Sequence, residues 1–355
     1  MKTIIVTGAA GFIGSNFVEI ALAKGYRVIG YDALTYAGHL ENVEQFQANP
    51  NFKFIHANIL DAAAFEKALR EFNVTMVAHF AAESHVDKSI SGPGAFIETN
   101  VNGTFALLTA SRAYYESLTG DAKKDFRFLH VSTDEVFGTL GATGKFTETT
   151  PYAPNSPYSA SKAASDLLVR AWFHTYQLPT IITNCSNNYG PKQFPEKLIP
   201  HMVLCALQGK PLPVYGKGDN IRDWIHVKDH GRGILLALEK GVPGETYCFG
   251  GNSERTNLDV VHSLCAILDE LKPQAGGKSY RDLITFVTDR PGHDFRYAID
   301  DSKAQKELGY VHHYKNFEDG LRETIAWYLS NMEWSKKVTA KPGVKVTYDW
   351  SRMGQ

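Results

Sequence analysis

The chain has 355 residues, which is longer than a single hydrophobic core usually supports, so we expect two lobes. Hydrophobic residues make up 43% and charged residues 21%, a globular composition that argues against long disordered segments. The formal net charge of −1 gives no reason to expect nucleic acid or an anionic membrane as a partner, and no apolar run is long enough to span a bilayer.

The start of the chain and its cysteines bear on where the protein works. Met1 leads directly into an apolar strand, so we expect no signal peptide. The four cysteines are scattered without a Cys-x-x-Cys pair, which favours reduced structural thiols. Both features predict a cytoplasmic protein.

The first predicted elements form a βαβ unit with a glycine turn. Residues 2–8 predict a buried strand, residues 12–23 an amphipathic helix, and residues 26–32 a second strand. The glycines between the first strand and the helix are Gly8, Gly11 and Gly14. Such glycines let backbone N–H groups approach a pyrophosphate at the helix N-terminus. The alternative is a tight turn without a ligand.

Asp32 ends the second strand, where an acid accepts hydrogen bonds from the ribose hydroxyls of a dinucleotide. A carboxylate at this position repels a 2′-phosphate. The sequence therefore predicts NAD rather than NADP.

Alternating strands and helices continue to about residue 190. We predict strands at 52–57, 76–81, 126–131 and 179–183, and helices at 62–72 and 95–115. This rhythm predicts an α/β fold with a Rossmann-like, doubly wound parallel sheet. Polar residues follow the strand ends, where such sheets bind ligands. They are Asn58, Glu83, Ser84, Ser132 to Glu135, and Asn187.

The rhythm breaks after Gly190, in a segment rich in proline and glycine. We predict a dinucleotide-binding domain at 1–190, with a return segment near 224–248, and a smaller mixed α/β substrate-binding lobe over most of 191–355. Helices are expected at 257–271 and 317–331. The polar tail beyond residue 331 gives no prediction.

The stretch 128–164 carries the residue types for acid–base chemistry. Its strand ends in Thr133, Asp134 and Glu135, and Tyr158 lies one helical turn before Lys162. We expect the Lys162 ammonium to lower the pKa of the Tyr158 phenol. The alternatives are that the two carboxylates are a solvated strand end and that Tyr158 is an ordinary aromatic at a helix start.

These motifs together resemble the extended short-chain dehydrogenase/reductase superfamily and, within it, the dTDP-glucose 4,6-dehydratases. The broad resemblance rests on the three glycines, Asp32 and Tyr158-x-x-x-Lys162. The narrower one rests on the residues at 81–87, 132–136, 184–190, 194–200, 222–224 and 289–294. It implies a homodimer that binds NAD tightly and acts on a nucleotide sugar, dTDP-glucose.

The resemblance also implies catalytic roles. Tyr158, ionised with the help of Lys162, would take the proton of the sugar's 4-hydroxyl, which Thr133 holds, as hydride passes to NAD. Glu135 would remove the hydrogen on carbon 5, and Asp134 would protonate the departing 6-hydroxyl before hydride returns to carbon 6. Asp134 must therefore be protonated beforehand. Enclosure and the neighbouring Glu135 both favour this, because both raise a carboxyl pKa.

Binding residues follow from the same resemblance. The cofactor set is Gly8, Gly11, Phe12, Ile13, Gly14, Asp32, Leu34, Thr35, Asn58, Ile59, Phe80, Ala81, Ala82, Ser84, Thr99, Tyr158, Lys162 and Asn188. The substrate set is Ser84, Thr133, Asn187, Lys197, Leu198, Pro213, Tyr215, Arg222, Asn257, Asp289 and His293. Asn58 departs from the aspartate usual in the family, although its amide oxygen can still accept a bond from an adenine amino group.

Other polar residues are interpreted without a function. His226 and His230 have helical metal-ligand spacing, but the motif lacks a glutamate and begins in a predicted strand, so we expect no metal site. His312 and His313 are expected to be solvated. Cys185 has no evident base and is expected to be a buried thiol, and His85 is left unassigned.

Three other functions remain as alternatives. A sugar-nucleotide 4-epimerase needs the glycines, Tyr158 and Lys162 but has no use for Asp134 and Glu135. A GDP-mannose dehydratase differs in its nucleotide. The sequence also leaves both thymidine and uridine as candidates for the base of the nucleotide sugar. A non-catalytic NAD-sensing protein would not need the tyrosine and lysine, both of which are present.

Overall fold

The computed structural model describes residues 1–289, 293–341, 348 and 350. The strands are β1 (Thr3–Thr7), β2 (Arg27–Asp32), β3 (Phe52–His56), β4 (Met76–His79), β5 (Arg127–Thr133), β6 (Thr180–Cys185), β7 (Asn187–Tyr189), β8 (Leu212–Tyr215), β9 (Ile221–His226), β10 (Thr246–Phe249), β11 (Glu254–Thr256) and β12 (Ile284–Val287). The α-helices are α1 (Phe12–Ala23), α2 (Ala62–Glu71), α3 (Val86–Ser91), α4 (Pro93–Phe96), α5 (Thr104–Ser117), α6 (Gly120–Asp125), α7 (Pro157–Tyr176), α8 (Leu198–Leu207), α9 (Val227–Lys240), α10 (Asn257–Leu271), α11 (Ser302–Leu308), α12 (Phe317–Ser330) and α13 (Met332–Thr339).

The larger lobe is built on a seven-stranded sheet in the order β3-β2-β1-β4-β5-β6-β10. Its strands all pair in parallel. One apolar layer joins the sheet to α1 and α9, and a second joins it to α2, α5 and α7. The predicted Rossmann-like, doubly wound α/β fold is confirmed, and the predicted helix at 12–23 has the same bounds in the structure.

A smaller lobe contains two short sheets, β7-β9-β11 and β8-β12. Its apolar core comes mainly from α8, α10 and α12, with Val203, Leu264 and Leu321 fully buried. Among the described residues, no helix is both long and apolar enough to cross a membrane.

One segment from the second half of the chain belongs to the larger sheet. Strand β10 pairs with β6, with Thr246 opposite Ile182, and α9 packs on α1. The division of the chain into domains at residue 190 stays a prediction.

The structure differs from the predicted elements in several places. The helix predicted at 95–115 begins with α4, passes through a π-helix at Ile97–Gly103 and continues into α5. The segment after residue 190 contains α8, which tolerates Pro200 because that residue lies in its first turn. A further helix, α13, follows α12 where the sequence gave no prediction.

Candidate active site

A cleft of about 330 Å³ opens where the parallel strands end. It is lined by the ends of β1, β2, β4, β5 and β6, by the start of α7, and by residues from the smaller lobe. The cofactor residues predicted from the sequence line this one cavity, except Leu34. The five predicted catalytic residues line it as well. The fold therefore brings both sets together.

The glycine turn brings backbone to the cleft wall at very short range. Gly8 has a φ of +70°, and a Cβ there would lie 2.8 Å from the Ala81 nitrogen. A Cβ on Gly14 would lie 2.1 Å from the Gly8 oxygen. Neither position accepts a side chain, so the start of α1 presents bare backbone N–H groups. This cradle fits a pyrophosphate.

Asp32 is buried at the end of β2 and is held by backbone donors. The Ala10 N–H donates to Oδ2 at 2.9 Å and the Leu34 N–H to Oδ1 at 2.7 Å. Burial raises the pKa of this carboxyl, and the two N–H bonds oppose the rise. Each oxygen retains a second lone pair, so the side chain can accept further bonds from a ribose.

The π-helix shapes the middle of the cleft. Asn100 lies in it, where its side-chain oxygen accepts from the Glu83 N–H at 2.8 Å and its amide donates to the Ser161 hydroxyl at 2.8 Å. These bonds tie the loop after β4 to α7. Thr99, the preceding residue, faces the cleft, in keeping with the frequent occurrence of π-bulges at functional sites.

Asp134 lies at the deepest part of the acid–base cluster. Its Oδ1 accepts from the Thr133 hydroxyl at 3.3 Å, and its buried Oδ2 has no hydrogen-bond partner among the described residues. Burial raises the pKa of Asp134 well above its ordinary value, and Glu135 is the second cause. These are the two causes expected from the sequence. Burial and Glu135 therefore both favour the protonated form of Asp134.

Tyr158 and Lys162 face the cleft from the first turns of α7. The helix begins at a capping box between Ser156 and Ser159, with Pro157 in its first turn. This start places the tyrosine where the Thr133 hydroxyl lowers its pKa, against the larger effect of burial.

One electrostatic expectation is wrong for the arrangement seen here. The pKa of Tyr158 is raised well above its ordinary value, first by burial and then by Glu135, instead of being lowered by Lys162. Burial outweighs the other influences on the phenol, and the lysine ammonium donates to the Val131 carbonyl at 2.9 Å. Burial also lowers the pKa of Lys162 itself, to about 8.

The predicted substrate residues divide between the two lobes. Ser84, Thr133, Asn187 and Lys197 line the cleft. The others do not line the cleft. Leu198 lies at the start of α8, and the rest lie in the part of the smaller lobe around β8, β9 and the loop after β12. The residues that do not line the cleft are Leu198, Pro213, Tyr215, Arg222, Asn257, Asp289 and His293. The fold thus does not gather the predicted substrate set into one cavity.

Arg222 is buried and is held mainly by backbone. Its guanidinium donates to the carbonyls of Ile221 at 2.7 Å and Asp294 at 2.9 Å, and it lies 4.2 Å from the centre of the Tyr297 ring. Its charge acts on Asp134, whose pKa it lowers against the larger effect of burial. Arg222 therefore connects the smaller lobe with the acid–base cluster.

Tyr215, Asp289 and His293 form a neighbouring group. His293 Nδ1 lies 2.7 Å from Asp289 Oδ1, and its ring centre lies 6.3 Å from that of Tyr215. Arg290, Pro291 and Gly292, which belong to the quoted 289–294 motif, lie outside the described residues.

Glu196 is a cleft residue that the sequence analysis did not single out. Its side chain is nearly buried and pairs with Lys88 at 3.0 Å and with His85 at 3.6 Å. The Lys88 ammonium lies 3.3 Å from the centre of the Tyr36 ring. The group connects the loop after β2 with the smaller lobe across the cleft mouth. Glu196 lies inside the 194–200 segment that carries the family resemblance, and this position was the available signal that it belongs to the site.

Other cleft residues were not assigned to the site. They are Ala33, Ala37, Gly38, Val131, Cys185, Ser186, Gln193 and Phe194. Glu83 and Ser132 also line the cleft and were among the polar residues expected at the strand ends. A position at or just after a strand end was the available signal for Ala33, Cys185 and Ser186. The Cys185 thiol is buried, and burial raises its pKa. Within the described part of the chain, no cluster of three or more His, Cys, Asp or Glu side chains suits a metal ion.

Known proteins place this site in a family. A family model described as GDP-mannose 4,6 dehydratase matches residues 5–324. A dTDP-glucose 4,6-dehydratase of Xanthomonas campestris pv. campestris is 58% identical over 338 residues, which cover 95% of this chain and 96% of that protein. The chain belongs to the dTDP-glucose 4,6-dehydratase family. This family is part of the extended short-chain dehydrogenase/reductases, as the motifs suggested.

Solved structures of other proteins agree with this assignment. The dTDP-glucose 4,6-dehydratase of Bacillus anthracis, solved in complex with NAD, is 46% identical with a TM-score of 0.84, and the match covers 95% of this chain and 100% of that chain. UDP-glucose 4-epimerase of Thermotoga maritima is 27% identical with a TM-score of 0.81, covering 93% and 99%. The fold is shared with an epimerase, so the chemistry has to be argued from the site.

Proposed function

We propose that this protein is an NAD-dependent hydro-lyase that converts dTDP-glucose into dTDP-4-keto-6-deoxyglucose. The observation that carries the proposal is the buried acid Asp134 beside Glu135, next to Thr133 and Tyr158 in a single cleft. Elimination of water needs a base and a separate acid at one site. The relatives at more than half identity, named as dTDP-glucose 4,6-dehydratases, support the nucleotide.

The residues of the cleft fit NAD. The cradle formed by Gly8 and Gly14 would hold the pyrophosphate, Asp32 the adenosine ribose, and Asn58 the adenine amino group. When bound, NAD supplies the acceptor for the carbon-4 hydride and the donor that returns it to carbon 6. Asp32 excludes a 2′-phosphate by charge, which favours NAD over NADP.

The first proton transfer is assigned to Tyr158, which takes the proton of the 4-hydroxyl while the Thr133 hydroxyl positions that oxygen. The raised pKa of Tyr158 makes the phenolate costly, so Lys162 must supply a favourable charge as the proton moves.

The elimination is assigned to the two adjacent carboxyl groups. Glu135 removes the carbon-5 hydrogen, which the 4-keto group has made acidic, and Asp134 donates the proton that turns the 6-hydroxyl into water. Burial keeps Asp134 protonated until that step, and its otherwise unpartnered Oδ2 suits a donor to the substrate. Glu135 then returns a proton to carbon 5.

The nucleotide is assigned to the smaller lobe, which we place mainly at 191–355. Pro213 and Tyr215 would flank the base, with Arg222, Asn257 and His293 near the diphosphate and Asp289 beside His293. Ser84, Asn187, Lys197 and Leu198 would contact the sugar nucleotide.

The working assembly is proposed to be a cytoplasmic homodimer. Helices α5 and α7 pack together and carry exposed apolar side chains, with Phe105 50% and Leu167 58% exposed, and Ile97 beside them 49% exposed. Such a surface on adjacent helices favours burial against a second copy. Sedimentation equilibrium should give twice the 39.4 kDa of one chain.

A substrate panel tests the function. Purified protein is incubated with dTDP-glucose, UDP-glucose, GDP-mannose and dTDP-galactose, and the products are identified by mass spectrometry and NMR. A 4-keto-6-deoxy product from dTDP-glucose in preference to the others is expected. Interconversion of dTDP-glucose and dTDP-galactose without loss of water would replace the proposal with a 4-epimerase.

A further inference from the structure

Behind Lys162, on the side away from the cleft, lies a buried polar cluster that the proposed chemistry does not use. Asp166 lies one helical turn after Lys162 on α7, and both are buried. His130, on β5, lies between them, with its Nε2 3.3 Å from the lysine nitrogen and 3.2 Å from Asp166 Oδ1. Lysine, histidine and aspartate thus lie side by side, with the lysine at the cleft and the other two buried behind it.

Asp166 is held in place by two hydroxyl groups. The Ser132 hydroxyl donates to its Oδ2 at 2.7 Å and the Tyr152 hydroxyl at 3.0 Å. Hydrogen bonds of this kind stabilise a carboxylate. They oppose burial, which raises the pKa of Asp166 to about 6. The group is therefore mainly ionised at neutral pH.

The other titratable groups that face Lys162 carry no charge at neutral pH. They are His79 from β4, His130 from β5, Cys185 from β6 and Tyr158 from α7. Burial lowers the pKa of both histidines and raises the pKa of the thiol and the phenol. Among the described residues facing Lys162, Asp166 is thus the one ionised partner.

The histidine lies against both groups and, among the described residues, is hydrogen-bonded to the lysine. With its proton on Nδ1 the bare Nε2 accepts from Lys162, whereas Asp166 Oδ1, 3.2 Å from Nε2, has no hydrogen-bond partner among the described residues. The ring therefore links the two charged groups without adding a charge of its own.

We infer that Asp166 is the counter-ion of Lys162 and a positioning residue for the tyrosine–lysine pair. The inference rests on the proposed roles of Tyr158 and Lys162. A lysine in a dry pocket loses its charge unless an anion opposes the cost of desolvation, and an uncharged amine cannot stabilise the Tyr158 phenolate. Asp166 supplies that anion from the same helix, at a place where substrate does not reach.

The test measures Lys162 directly and then the reaction. The 13Cε signal of Lys162, assigned with Lys162→Met in protein labelled with [13Cε]-lysine, is titrated by NMR in the parent and in Asp166→Asn. Loss of the anion should lower the pKa of Lys162 by about one unit. The alkaline limb of NADH formation should move to lower pH by a similar amount. Ser165→Ala is the matched control, because Ser165 is buried on the same helix but bonds only to backbone, and it should shift neither.

A second variant covers the case in which Asp166→Asn does not fold. Tyr152→Phe removes one donor from Asp166, so the carboxyl should take up its proton at higher pH and the acid limb should move upward. Unshifted titrations in both variants, or an equal shift in Ser165→Ala, would overturn the inference. If Tyr158→Phe still formed NADH, both the proposed function and the inference would fail. If Tyr158→Phe formed no NADH but Asp166→Asn left the pKa of Lys162 unchanged, the inference alone would be overturned.

Discussion

The floor of the cleft and the lobe that covers it place their functional side chains in different ways. On the floor, Thr133 ends β5, Asp134 and Glu135 follow it directly, and Tyr158 and Lys162 share the start of α7. In the smaller lobe, Arg222 is held by the backbone of residue 294, which is distant in the chain. The floor is thus set by local structure and burial, and the covering lobe by long-range contacts. Substitutions on the floor should therefore change the rates of the chemical steps, and substitutions in the covering lobe should change the affinity for the nucleotide.

The largest effects are expected on the floor. In Glu135→Gln and Asp134→Asn, elimination of water should fall by about 10²–10⁴-fold each, because each loses one positioned acid or base. Oxidation at carbon 4 should persist in both. Rapid-quench mass spectrometry in deuterated water, with NADH absorbance followed in parallel, separates these steps.

The two carboxyl variants should also differ from each other. Exchange of the carbon-5 hydrogen with solvent should be slow in Glu135→Gln and better retained in Asp134→Asn, since the latter keeps its base. Tyr158→Phe, which should not form NADH, is the reference. Parental rates of elimination in both carboxyl variants would show that the carboxylates are only a polar strand end.

The next largest effect is expected in the covering lobe. Arg222→Ala should weaken binding of dTDP by about 1.5–3 kcal/mol, the usual value of a hydrogen bond to a charged group, and leave NAD binding nearly unchanged. Isothermal titration with each ligand measures both affinities. Tyr297→Phe keeps the ring under the guanidinium and is the control for packing. Equal losses for dTDP and NAD would mean that Arg222 supports the fold instead of the diphosphate.

The difference between the two regions also explains what the sequence could predict. The glycine turn, Asp32, and the Tyr158 and Lys162 pair are readable because their partners lie within one βαβ unit or one helical turn. The pairing of Glu196 with Lys88, and the stacking of Arg222 on Tyr297, join segments far apart in the chain and leave no periodic signal. The direction of a side chain could not be predicted either. The spacing places Lys162 one turn after Tyr158, but only the structure shows that the Lys162 ammonium donates to the Val131 carbonyl.

The smallest effect concerns another long-range contact, at the adenosine end of the cleft. Lys341 follows α13 in the chain. Its ammonium donates to the carbonyls of Leu34 and Gly38, both at 2.8 Å, and its charge lowers the pKa of Asp32 against the larger effect of burial. Lys341→Met should loosen this loop and weaken NAD binding by about 3- to 10-fold, the range of one or two ordinary hydrogen bonds. Fluorescence titration with NAD, on protein from which bound NAD has been removed, measures the change in affinity. Lys336→Met, on α13 itself, should leave the affinity unchanged, and an equal loss there would assign the effect to general surface charge.

The pairing of β10 with β6 also governs how the chain folds during synthesis. The edge of β6 that β10 covers stays open until residue 249 has left the ribosome, and β7, α8, β8, β9 and α9 lie between the two strands in the chain. An open strand edge is a surface for pairing with other chains. A nascent chain halted near residue 190 would expose that edge together with the face of α1 that α9 covers. Chaperone capture is therefore expected to peak while residues 190–249 are being made, and to fall once the last strand closes the sheet.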